Sequence, residues 1–377
     1  MTSYDETRLL AKFSQLHFGL IFLVCAVSAA GFAMLYSAAG GSWEPWAGRQ
    51  LSRFLMCIPV VLFIAVTDIR LWFKYAYKAY FIGLALLIIV ELIGFVGMGA
   101  QRWVNVGGVN FQPSEMMKIF LVLALARYFH TIHQQNTPHL AFLIPPGIMI
   151  VVPVALVLIQ PNLGTSFVIL MTGIGIMFLA GIGWKKFVFA GCVGLACLPL
   201  LWANMHDYQK RRVFTFMNPE SDPLGSGYNI MQSKIAIGSG ALTGKGFMEG
   251  SQSQLSFLPE KETDFIFTVL SEEFGFMGSM TILALYLGIV LVCLRIALRS
   301  DSYFGKLIAG GIAIILFLHV FINMAMVMGL IPVVGLPLPL LSYGGSSMIS
   351  MLIAIAFVLN VYVHQEVPVR RAYDIFD

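Results

Sequence analysis

The sequence predicts an all-α integral membrane protein: ten transmembrane helices, with one large structured loop between helices 7 and 8. Three observations carry that expectation. Of 377 residues, 58% are apolar and only 11% charged, against roughly 25% charged in a soluble chain. So few polar side chains cannot cover a water-exposed surface, and the balance must face lipid. Charge-free stretches recur at lengths that suit the ~20 residues of one membrane crossing, and lysines and arginines gather between alternate stretches. A water-soluble enzyme, a secreted disulfide scaffold and a nucleic-acid binder are excluded together.

Taken in order, residues 1–12 are polar and carry no signal-peptide cleavage pattern, so the first hydrophobic stretch is read as a retained span. Phe13–Trp43 holds span 1, Phe54–Thr67 span 2, and Ala79–Gly97 span 3. Span 4 opens at Pro113, a favoured first-turn residue, and ends near Arg127. Tyr128–Trp184 contains no Lys, Arg, Asp or Glu and is too long for one crossing. Its turn is Gln160-Pro-Asn-Leu-Gly164, which separates span 5 (His139–Ile159) from span 6 (Thr165–Ile182). Span 7 is Phe187–Ala203 and span 8 is Phe265–Leu294. Leu307–Gln365 breaks at Pro332, Pro337 and Pro339 into spans 9 and 10, leaving 366–377 as the tail. The five cysteines all lie in apolar stretches without a CxxC pair and read as packing residues.

With both termini cytoplasmic, that side holds Arg8, Lys12, Arg70, Lys74, Lys78, Arg127, Lys185, Lys186, Arg295, Arg299, Lys306, Arg370 and Arg371. The short outer loops hold only Arg49, Arg53 and Arg102, which sets the orientation and puts the 204–263 loop outside. That loop alternates hydrophobic residues with glycine turns, and Tyr228–Gly238 suits an amphipathic helix lying on the membrane. A loop of this length with structure of its own is usually functional.

The chemistry-bearing residues gather on the same side. Asp264 is the last charge before span 8 and has two readings: a helix cap, or a partly desolvated carboxylate serving as general base. Glu260, Glu262, Glu272 and Glu273 lie close to it in sequence, more acidity than one cap requires. Glu115 and Lys118, three apart on one helix face, are either a structural ion pair or a polar site near the outer surface, and Arg102 has the same two readings. Asn162 reads as a turn residue, and His319 with Asn323 as interhelical hydrogen-bonding groups. His130, His133 and His139 are spaced loosely for a metal but lack an acidic partner.

Several longer segments resemble the SEDS family of cell-wall polymerases, and its elongation branch in particular. They are Gly99-Ala-Gln-Arg102-Trp103, Gln112-Pro-Ser-Glu115 with Lys118, Gln160-Pro-Asn-Leu-Gly164-Thr, and Asn218-Pro-Glu-Ser-Asp-Pro-Leu-Gly225-Ser-Gly-Tyr228. To these add Gln232 to Gly240, Gly244-Lys-Gly246, Phe257-Leu-Pro-Glu260, Thr263-Asp264-Phe265-Ile266-Phe267 and Pro337-Leu-Pro-Leu-Leu-Ser342-Tyr343-Gly-Gly-Ser346-Ser347. Three positions depart from the family pattern: Asn162 for an aspartate, Glu262 for a histidine and Leu340 for a phenylalanine.

The resemblance implies an inner-membrane peptidoglycan glycosyltransferase that polymerises lipid II for elongation and rod shape, with the large loop periplasmic. In that reaction an acceptor hydroxyl attacks the lipid-linked anomeric carbon and undecaprenyl diphosphate leaves. Asp264 becomes the expected base. Arg102, Glu115, Lys118, Lys245, Ser342, Tyr343 and Ser346 become the expected substrate-binding or supporting residues, with Arg211 and Arg212 as further cations. The reaction admits a divalent cation, Mg or Mn, with Asp264 and Glu260 as its candidate ligands. The implied partners are a class B penicillin-binding transpeptidase, other elongation-complex proteins and membrane lipids, but no nucleic acid. A lipid-precursor flippase and a noncatalytic scaffold are the competing readings.

Overall fold

A computed structural model describes residue 12 and residues 14–97, 100–106, 109–133, 140–204, 210, 214–218, 226–254 and 260–369. The chain forms α1 (Phe18–Ala38), α2 (Ala47–Val66) and α3 (Ile69–Ile93), then a small sheet, then α4 (Pro113–His133). There follow α5 (Ile144–Ile159), α6 (Leu163–Leu179), α7 (Trp184–Asn204), α8 (Ser226–Ser239) and the single turn α9 (Ser251–Gln254). The chain closes with α10 (Ile266–Arg299), α11 (Tyr303–Val327) and α12 (Gly345–Val363). Among the described residues six helices are long and apolar enough to cross a membrane: α1, α2, α3, α10, α11 and α12. Helices α5 and α6 are shorter and apolar. α11 and α12 are buried along most of their length, and α2, α4, α6, α8 and α10 pack against one or both of them.

Three details correct the sequence expectation. The chain is not all-α. Between α3 and α4, β1 (Phe95–Gly97), β2 (Ala100–Val106) and β3 (Val109–Phe111) make an antiparallel sheet in the order β1-β2-β3. β2 carries Trp103, Val104 and Val106, residue types that favour strands, and Val106 pairs with Val109. Next, α3 begins at Ile69, ten residues before the expected Ala79, because a charge-free window misses a helix whose cations sit at its end. Asp68 caps it, its Oδ1 accepting from Arg70 N at 2.8 Å, while the Lys74 and Lys78 ammoniums lie 5.9 and 5.1 Å from the Tyr75 ring. α2 likewise starts at Ala47 and carries Arg49 and Arg53 in its first two turns.

The expected helix at Tyr228–Gly238 is α8, but its inward face rests on protein. Ile230, Ser233 and Ala236 are buried, and Ser233 Oγ lies 2.7 Å from Thr268 Oγ1 and donates to the Val327 carbonyl at 2.8 Å. Its opposite face exposes Met231 and Ile235.

α10 is broken at Gly275, whose backbone (φ 62°, ψ −156°) is one that glycine adopts far more readily than other residues. A break inside a helix strands backbone groups that an apolar environment cannot satisfy. Residues 241–246 supply the partners. Phe276 N donates to Ala241 O (2.9 Å) and Met277 N to Leu242 O (3.1 Å). In return, Lys245 N and Gly246 N donate to the carbonyls of Glu272 (3.1 Å) and Glu273 (3.0 Å).

Candidate active site

The Asp264 side chain sits where three separate stretches of chain converge. Residues 260–265 form a turn, closed by Thr263 N and Phe265 N donating to the Glu260 carbonyl at 3.1 and 3.4 Å. The N-cap of α10 is Phe265, which offers no side-chain cap bond, so Asp264 lies one residue outside the position that the capping reading assigned to it. The carboxyl group faces Gly335 (φ 70°), where a Cβ would stand 3.5 Å from Asp264 Oδ2. Asp264 is half-buried. Burial also lowers the Lys261 pKa below the ordinary lysine range, with Glu262 opposing that shift.

The second stretch is the proline-rich segment 328–344 between α11 and α12. It is stitched to the turn on both sides of Asp264: Asn323 Nδ2 donates to the carbonyls of Asp264 (2.9 Å) and Leu336 (2.7 Å), and Tyr343 N donates to the Glu262 carbonyl (2.8 Å). Ser342 shapes the segment rather than presenting its hydroxyl, since its Oγ accepts from Leu338 N at 2.8 Å and its own N–H returns to Leu338 O at 2.9 Å. Tyr286 donates to the Pro339 carbonyl at 2.5 Å, and Gln50 on α2 brackets Ser342 O and Gly344 N at 2.9 and 3.4 Å.

The third stretch is the start of α12. The Arg53 guanidinium carbon lies 5.3 Å from the Tyr343 ring centroid and only 3.1 Å from where a Cβ on Gly345 would be. Ser346 Oγ accepts from Gln112 N at 3.1 Å, tying α12 to the approach of α4. One turn on, Ser350 Oγ donates to Glu115 at 3.2 Å. Glu115 takes Lys118 Nζ on both oxygens at 2.9 Å, and the same ammonium lies 2.6 Å from His319 Nε2. Both charges are almost fully buried. This pair therefore ties α4, α11 and α12 together beneath the site.

The structure thus brings Asp264, Ser342, Tyr343 and Ser346 together and sets Glu115 and Lys118 behind them. Lys245 belongs elsewhere: its Nζ pairs with Glu272 at 2.7 Å and Ser251 Oγ at 2.8 Å, two turns further along α10 at the kink. Arg102 lies in β2; Arg211 and Arg212 fall outside the described residues. Glu260 (φ 54°) is exposed at the start of the turn. No three His, Cys, Asp or Glu side chains gather as a metal site among the described residues. Asn162 is a buried N-cap, accepting from Thr165 N at 3.3 Å. His130 bonds backbone on both ring nitrogens, to Val369 O (3.0 Å) and Phe304 N (3.2 Å). His319 joins α11 to α4 as expected, whereas Asn323 bonds the carbonyls of Asp264 and Leu336, which lie in a turn and a loop and not in a helix. Sequence reasoning missed Arg53, which it used only as a charge to count, and Gln50, a polar residue within an apolar run.

Apolar helices around two buried ones, with a half-buried carboxylate and a stacked arginine at one end, define a multi-pass membrane protein with a polar site at the rim. The chain belongs to the FtsW/RodA/SpoVE family, described as cell cycle proteins, whose family model matches residues 8–367. It is 41% identical to the peptidoglycan glycosyltransferase MrdB of Escherichia coli (strain K12), an alignment covering 92% of this chain and 93% of that one. To stage V sporulation protein E of Bacillus subtilis (strain 168) it is 35% identical, over 91% and 95% of the two chains. Among solved structures it resembles a chain of a peptidoglycan synthase complex studied for the coordination of polymerization and crosslinking. That match has a TM-score of 0.80 and 31% identity, and covers 92% and 97% of the chains. The rod shape determining protein RodA of Thermus thermophilus matches with TM-score 0.71 and 29% identity over 93% and 97%.

Proposed function

We infer that this chain is a peptidoglycan glycosyltransferase, the activity named for its relative at 41% identity, and that lipid II is its substrate. The acceptor sugar's hydroxyl attacks the anomeric carbon of a lipid-linked donor. A carbon–oxygen bond forms there, the bond to the diphosphate oxygen breaks, and the hydroxyl proton passes to Asp264. Undecaprenyl diphosphate leaves with the bonding pair. The observation that carries this reading is the half-buried Asp264 carboxylate, outside its helix cap and facing the bare Gly335. Such a group accepts a proton in its ionised form.

The leaving diphosphate needs positive charge. Arg102 and Arg53 suit it, since a guanidinium meets phosphate oxygens in bidentate fashion. Lys118 and Lys245, each already paired with a glutamate, support the site by holding its frame. Ser342, Tyr343 and Ser346 shape the wall beside the acceptor. A divalent ion would have Asp264 and Glu260 to bind, and no step here is routed through one.

Ten membrane spans with both ends cytoplasmic, and residues 204–263 in the periplasm, place this chemistry at the outer face. Two further helices, α4 and α7, each of 21 residues, support that span count beside the eight apolar ones. New strands require cross-linking, so the protein works with a class B penicillin-binding transpeptidase, a partnership supported by its likeness to a synthase-complex chain.

The test is reconstitution of the purified protein with lipid II. Asp264→Asn keeps the side chain's shape, and is expected to leave a folded protein with glycan synthesis reduced about 10²–10⁴-fold. Near-normal polymerisation by that variant would overturn the assignment.

A further inference from the structure

We propose that Asn323 is a positioning residue for the reaction: one buried amide fixes both the backbone of Asp264 and the wall that its carboxylate faces. The proposal rests on the reading of Asp264 as the base. Asn323 is wholly buried on α11, and its two N–H groups go to two different stretches of chain, the Asp264 carbonyl at 2.9 Å and the Leu336 carbonyl at 2.7 Å. The first of these carbonyls lies ahead of the α10 cap, and the helix's own bonds start one residue later, from Thr268 N and Val269 N to Phe265 O. The second belongs to the residue after Gly335, whose missing Cβ leaves room beside Asp264 Oδ2.

α11 is a firm reference for this clamp. One turn before Asn323, His319 meets the Lys118 ammonium at 2.6 Å, and Lys118 is held in turn by Glu115. The rotation of α11 is therefore pinned by a buried ion pair, and Asn323 transmits that setting to the carboxylate. A general base works only within about 2.6–3.2 Å of the proton it takes. A displacement of about 1 Å costs on the order of 10²-fold. The loss belongs in kcat, because Asn323 is buried away from any substrate contact.

The experiment compares Asn323→Leu, which fills similar space without donors, with Asn323→Ala and wild type, using purified protein and lipid II. Folding is followed by thermal melting in detergent. Folded variants are expected to keep KM for lipid II within about twofold while kcat falls about 10- to 100-fold. In an Asp264→Asn background the same changes should cost nothing more. Unchanged kcat in a folded Asn323→Leu protein overturns the proposal, as does a full additional loss in the Asp264→Asn background. If neither variant folds, Gly335→Ala tests the same clamp from the other side. Its Cβ would meet Oδ2 only at 3.5 Å, an ordinary contact, but it sits on a backbone of φ 70° that alanine rarely adopts, so the wall shifts. A fall in kcat at steady KM is expected, and unchanged kcat counts against the proposal. An active Asp264→Asn protein sinks the base itself. An inactive one beside a normal Asn323→Leu sinks only the clamp.

Discussion

At the scale of single residues, Glu115 and Lys118 show what sequence spacing reveals and what it hides. Their separation of three put them on one helix face, and the ion pair at 2.9 Å follows from that local geometry. Their third partner, His319, lies 201 residues away, and no pattern within either helix announces which face of α4 meets which face of α11. Asp264 is similar. Its place before an apolar run was legible, but Gly335 and Asn323 reach it through tertiary packing. The buried pair also carries a stability prediction. Two desolvated charges tolerate each other's presence far better than either tolerates the other's loss. Lys118→Met should leave the Glu115 carboxylate uncompensated and cost about 3–5 kcal/mol. Adding Glu115→Gln should return much of that loss, because a neutral amide with Ser350 nearby is cheaper to bury. Thermal melting of the two variants in detergent checks this, and a double variant no more stable than the single one would contradict it.

At the scale of elements, helix ends and breaks decide how the bundle is joined. The sequence reads α10 as one span, although Glu272 and Glu273 interrupt its apolar run just ahead of Gly275. The break exists because 241–246 arrives to exchange four backbone hydrogen bonds with it. A Cβ on Gly275 would lie 2.3 Å from Gly244 N, and one on Gly244 would lie 2.1 Å from Glu273 O. Gly275→Ala is therefore expected to destabilise by at least the roughly 1–3 kcal/mol of such backbone strain, visible as a lower melting midpoint. The opposite end of the bundle is tied by polar groups instead. Asn360 Nδ2 donates to the carbonyls of Ile64 and Thr67 at 2.8 and 2.5 Å, while Lys12 Nζ reaches Val66 O at 3.0 Å and His364 Nε2 at 3.1 Å. His364 Nδ1 in turn donates to Asn360 O at 2.9 Å. Burial holds the His364 imidazole below its usual range, aided by Lys12 and Arg70 and opposed by Asn360 and Asp68. A depressed value means that the folded protein prefers neutral histidine. Its contribution is complete above about pH 6.5, where the unfolded chain is neutral too, and is lost as pH falls through the folded-state value. The melting temperature should fall on acidification below about pH 6.5, and His364→Gln should flatten that slope. An identical slope in the variant would show that the imidazole is not responsible.

At the scale of the whole molecule, a lipid-facing helix writes itself into composition. Charge and hydropathy were therefore enough to locate the six long apolar helices, though not the charged starts of α2 and α3. They were not enough for the short sheet at residues 95–111, whose strands carry a signal far weaker than a membrane helix. The orientation of the bundle is the consequence most open to direct measurement. Beyond its break, α10 runs from Phe276 to Arg299, which at 1.5 Å per residue is about 36 Å. That exceeds the ~30 Å of a bilayer's hydrocarbon core, so the two ends of this stretch emerge on opposite faces. Thr243 is exposed beside the break, and Asp301 is exposed just past the other end. Arg295, Arg299 and Lys306 cluster near Asp301, and positive charge favours the cytoplasm. In a background free of the native cysteines, Thr243→Cys should react with a membrane-impermeant maleimide on intact spheroplasts. Asp301→Cys should react only after permeabilisation. The same side must hold Asp264, since only the short segment 266–274 separates it from the break. Labelling of Asp301→Cys from outside, with Thr243→Cys protected, would invert the molecule. It would place the carboxylate on the face opposite to a periplasmic substrate and remove the proposed chemistry with it.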